Sequence, residues 1–152
     1  MVTVVPIYTG LSHITGQIGG LLLLSMHREN HDLHLDHKLY RDPRDRLSEI
    51  EGNLDTISPP KEAKLHFWAI VKAVGTLRQA IDRMERIAAT KDAERCDQIT
   101  ADLIRRLHKV HALLRFTANP DAGLTSTDFD NTCCNCTGHA HHHESIKLGV
   151  HT

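Results

Sequence analysis

Aromatic side chains make up only 4% of this 152-residue chain. A core must therefore be aliphatic, which favours packed helices over a sandwich or barrel drawing on aromatic and β-branched residues. Acidic and basic side chains are absent from the first twenty-six residues. No long apolar run takes their place. A membrane span needs about 18 consecutive apolar residues, whereas Thr9, Ser12, His13, Thr15 and Gln17 interrupt this stretch and only residues 21–24 are uninterrupted leucine. No basic segment precedes it, as a secretory leader requires. The expectation is a buried N-terminal helix that neither spans nor directs to a membrane.

Enzyme signatures are also missing. There is no phosphate-binding glycine loop, no Gly-x-Ser-x-Gly and no dinucleotide fingerprint. Gly16-Gln17-Ile18-Gly19-Gly20 has the glycines but no phosphate-binding lysine after them. Glu-x-x-His occurs nowhere, which argues against the carboxylate-bridged di-iron sites built into helical bundles. No catalytic residue can be named. The formal net charge of −1 gives no strong steering toward nucleic acid. Residues 61–118 carry twelve Lys/Arg against seven Asp/Glu. Their signs interleave, with Asp82–Arg86 and Asp102–Arg106 four apart, as on a solvated helix surface.

What is present is helical periodicity. Hydrophobic content of 40% and charged content of 24% fit one ordinary globular domain. Residues 11–26 place Leu11, Ile14, Ile18, Leu21, Leu22 and Met26 on one helical face. Gly16, Gly19 and Gly20 cost helix stability, so they predict close backbone approach to a neighbour, or else a break in the helix. Residues 27–41 are polar and read as a frayed end and a loop. Asp42-Pro43 then predicts a helix start, with Asp42 as cap and Pro43 first in the helix. Leu47, Ile50, Leu54 and Ile57 follow, and Ser58-Pro59-Pro60 stops the run. A third helix over 61–89 keeps a seam of Phe67, Ile70, Val74, Leu77, Ile81, Met84 and Ala88. A fourth over 92–116 carries Cys96, Ile99, Leu103, Leu107, Val110 and Leu114. The short link between them predicts an antiparallel hairpin. The fold class expected is all-α, an antiparallel bundle of about four helices over 1–120. A Cys/His-rich extension over 121–152 follows, too poor in large apolar residues to build a core. It either orders on a metal or lies against the helices through Phe129 and residues 146–150.

That extension holds the one dense chemical signal. Cys133, Cys134, Cys136, His139, His141, His142 and His143 fall within eleven residues. Thiolate and imidazole are the best protein ligands for zinc, nickel and copper. The seven donors exceed the four of a tetrahedral site. Adjacent cysteines do not readily direct both sulfurs to one ion, so Cys134 and Cys136 with two histidines make a workable set. Two distant Cys-x2-Cys pairs are absent, which excludes a zinc finger. Redundant donors suit exchange, storage or delivery. Cys133-Cys134-Asn135-Cys136 resembles the Cys-Cys-x-Cys of small mitochondrial copper chaperones. The likeness covers four residues, lacks their paired Cys-x9-Cys helices, and implies nothing further. Cys136 near histidines also has the makings of a low-pKa nucleophile, but metal ligation explains the same residues with fewer assumptions.

A second cluster spans residues 27–37. His27 and His31 stand one helical turn apart with His34 close to the same side, and Glu29, Asp32 or Asp36 could add an oxygen ligand. The plain alternative is histidines gathered at a helix C-terminus, where the macrodipole favours them. His66, His108 and His111 read as packed or half-exposed helix histidines. The cysteine usage is that of reduced ligands in the cytoplasm. The expected function is a metal chaperone, store or sensor for a transition metal. The alternative is a helical accessory or adaptor subunit whose extension clamps a partner. The long seam of the third helix predicts a homo-oligomer or a larger protein partner.

Overall fold

The computed structural model describes residues 4–26 and 38–119, together with Asp121 and Leu124. Four helices follow one another: α1 (Val4–Met26), α2 (Lys38–Asp55), α3 (Lys64–Ala89) and α4 (Ala93–Thr117). A 3-10 turn, Lys61–Ala63, leads into α3. No strand occurs among the described residues. One isolated bridge joins Asn119 to Leu124.

Successive helices run in opposite directions. Along α3 and α4, His66 meets Phe116, Gln79 meets Arg106 and Arg83 meets Asp102. Along α2 and α3, Arg44 reaches Asp82 and Glu85 while Glu51 reaches Arg78. His13 of α1 lies 3.2 Å from Arg46 of α2. The α3–α4 contact is the most extensive, and α1 touches all three other helices. Asp92 caps α4 by accepting from the Arg95 amide at 3.0 Å, which satisfies one of the free N–H groups of the first turn.

One aliphatic cluster joins the four helices. Ile7, Leu11, Ile14, Ile18 and Leu22 of α1 meet Leu47, Ile50 and Leu54 of α2. Ile70, Leu77, Ile81 and Met84 of α3 and Leu103, Val110 and Leu114 of α4 complete it. Ile70, Val74, Leu77, Ile81 and Met84 follow the expected seam. Ala88 does not: it is exposed, and Ile87 is the buried residue of that turn. Ala69, Ala73, Thr76 and Ala80 are buried as well. The apolar face of α3 is therefore wider than a coiled-coil stripe, because α3 packs against α1, α2 and α4 at once. The chain's own helices α1, α2 and α4 cover this seam.

Three further expectations are corrected. Helix α1 begins at Val4, not near residue 11. Pro6 is no obstacle there, since an N–H in the first turn has no helical partner, and Ile7 and Tyr8 extend the buried face. Helix α2 begins at Lys38, so residues 38–41 are helical and Pro43 lies inside the helix instead of opening it. Pro43 forgoes the bond that would reach Leu39, and its ring is buried in return. Asp42 pairs with Arg46 instead of capping. Gly10 is tight: an added Cβ there would come 2.8 Å from Ile50 Cδ1. Gly19 and Gly20 face open space, and the helix runs through them.

Candidate functional site

All ten expected metal donors lie outside the described residues: Cys133, Cys134, Cys136, His139, His141, His142 and His143, and His27, His31 and His34. Helix α1 is described as far as Met26, one residue short of His27. Among the described residues, no three His, Cys, Asp or Glu side chains come together as a metal would need. His108 is exposed on α4 and His111 is half-buried. Cys96 is a half-buried free thiol packed against the core.

Several of the described charges pair between helices. Arg44 donates to Asp82 at 2.8 Å and to Glu85 at 2.9 Å. Arg78 pairs with Glu51, which raises its already high pKa. Asp102 accepts from Arg83 at 2.8 Å and from Arg106 at 2.9 Å. Those two hydrogen bonds hold its carboxyl below the usual carboxylate range. These acids are bonded to guanidinium groups on the outside of the helices, so they stabilise helix pairing and are not poised for proton transfer. Buried polar side chains are few. Tyr8 donates to the Leu114 carbonyl at 3.0 Å. Thr117 also donates to Leu114 O, and the two hydroxyls satisfy a carbonyl that the end of α4 leaves free. Burial raises the Tyr8 pKa.

Beside this junction is an apolar pocket of about 430 Å³. Val4 and Val5 of α1, Ile57, Pro59 and Pro60 of the α2–α3 link, Phe67 and Ile70 of α3, and Leu124 line it. His66, Thr117 and Asn119 supply the polar edge. The His66 ring stands edge-on to Phe116, with centroids 5.5 Å apart. Asn119 and Leu124, both in the lining, exchange backbone hydrogen bonds of 2.8 and 2.9 Å. Such a site can receive an apolar group. It lacks the pair of titratable groups that general acid–base chemistry requires.

Sequence reasoning missed this pocket. Its walls come from four separated segments, and Ser58-Pro59-Pro60 carried only a stop signal. The apolar pair Val4-Val5 ahead of Pro6 was the available hint. Outside the pocket, Leu65, Trp68 and Val71 stand three apart on α3 with 62%, 56% and 44% of their surface exposed. No helix among the described residues is long and apolar enough to cross a membrane. Comparison with protein-family models, with curated proteins and with solved structures finds no match to this chain.

Proposed function

We propose that the protein is a transition-metal chaperone, store or sensor that holds its ion in the C-terminal extension. The observation that carries this reading is the packing of seven thiol and imidazole donors into residues 133–143. Zinc, nickel and copper(I) all suit these ligands. His27, His31 and His34 supply a second station on the same chemistry.

Cobalt(II) titration of the full chain under reducing conditions tests this reading. Thiolate-to-metal charge-transfer absorption should grow to saturation and vanish in a Cys133→Ser/Cys134→Ser/Cys136→Ser variant. Its absence from the wild-type chain would sink the proposal.

The exposed stripe of Leu65, Trp68 and Val71 favours a second reading, an accessory subunit that docks on a larger protein or on its own copy. Trp68→Glu should then abolish co-purification of a stoichiometric partner and any self-association. The same assembly from both proteins would rule this reading out.

A further inference from the structure

We infer that the pocket at the end of the helices is the seat of Phe129, which latches the C-terminal extension onto the helical core. The pocket is wide enough for a phenyl ring, at about 430 Å³, and its walls are mostly apolar. Leu124 already lines it, held there by paired backbone bonds to Asn119. The residues after Leu124 are Thr125, Ser126, Thr127 and Asp128, none of them apolar, and Phe129 comes next. Five residues reach at most about 18 Å, enough to return a side chain to a cavity that Leu124 borders. Phe129 is also the only aromatic residue after Phe116.

Charge agrees with this occupant. Asp128 and Asp130 flank Phe129. Exposed Lys61 and Lys64 adjoin the lining residues Pro60 and Ala63, and outnumber Glu62 between them. Tethering favours this chain over a free ligand or a second copy, because a short linker presents its end at millimolar effective concentration. The consequence, which rests on the metal reading above, is positional: the donors at 133–143 begin four residues beyond the latch, so the ion would sit beside this end of the helices.

The test is methyl NMR on the full chain, reduced and with chelator present, so that it succeeds or fails independently of metal binding. Phe129→Leu keeps an apolar side chain and removes the aromatic ring current. Methyl resonances of Ile57 and Ile70, distant in sequence, should shift between wild type and variant. The shift should be the same at every protein concentration, while Leu23 and Leu24 stay unchanged. Unshifted Ile57 and Ile70 would overturn the inference, as would shifts centred on Leu23 and Leu24. A shift that disappears on dilution would do so too, because the occupant would then be a second copy.

Discussion

The helical core and the C-terminal extension use opposite chemistry. The helices bury aliphatic side chains and almost nothing that titrates: Thr15, Thr76, Thr117 and Tyr8 are the buried residues with a polar side-chain group among the described residues. Residues 125–152 hold three of the four cysteines and five of the thirteen histidines, with Phe129, Ile146, Leu148 and Val150 as their only large apolar side chains. A packed core fixes each side chain and tolerates little change in volume. A donor-rich segment with more ligands than an ion requires tolerates the loss of one. The two regions should therefore respond independently to substitution, and the predictions are ways to break or sharpen that separation.

The largest effect is expected in the centre of the core. Leu77 is fully buried where α3 packs against its neighbours. Leu77→Ala should cost about 2–5 kcal/mol of stability, read by urea denaturation, and leave metal stoichiometry unchanged in the folded fraction. Loss of metal from folded L77A would break the separation. Next comes Tyr8→Phe, which removes the hydroxyl bonded to Leu114. Thr117 still serves that carbonyl, so the expected cost is about 1 kcal/mol. Because burial raises the Tyr8 pKa, the wild type should also lose stability as pH climbs past about 10, and Y8F should lose less.

Gly20→Ala should move stability the other way. Its added Cβ meets no atom within 4 Å, so only the helix propensity changes, a gain of about 0.5–1 kcal/mol. Destabilisation by G20A in a thermal melt would mean that the glycine face serves a contact after all. The smallest change is Asp102→Asn. The carboxylate and its two main arginine partners are each about a quarter exposed, and such pairs contribute at most about 1 kcal/mol. Its folded pKa lies below the unfolded one, so the contribution is present above about pH 4 and lost as pH falls through the folded value. The acid limb of the stability curve should flatten in D102N, and an unchanged limb would remove Asp102 from the account.

Much of the helical part was legible because its signals are local and repetitive. The three-and-four spacing from Ile70 to Met84 and from Leu103 to Leu114 needs no tertiary information. Starts were harder. Val4-Val5-Pro6 has little intrinsic helix propensity, and it is helical because Ile7 and Tyr8 are buried against the other helices. Pro43 reads as a first helical residue, yet α2 is already helical at Lys38, five residues before it, and the proline ring is buried. Ala88 and Ile87 exchanged places because three neighbours, not one, surround α3. The pocket was illegible for a related reason: Val5, Ile57, Ile70 and Leu124 meet only after the helices reverse direction. The donors of the extension were read as ligand types from their density alone, and their positions lie outside the described residues.

Metal analysis of the full chain, purified under reducing conditions after growth in the presence of zinc, nickel and copper, tests the division of labour most directly. The comparison is between wild type, Leu77→Ala and a Cys133→Ser/Cys134→Ser/Cys136→Ser variant. The account predicts stoichiometric metal in the wild type and in folded L77A, and clearly less in the triple serine variant, which keeps only imidazole donors and whose thermal unfolding without metal should match the wild type. Metal-free wild type, or full occupancy in the triple variant, would contradict it.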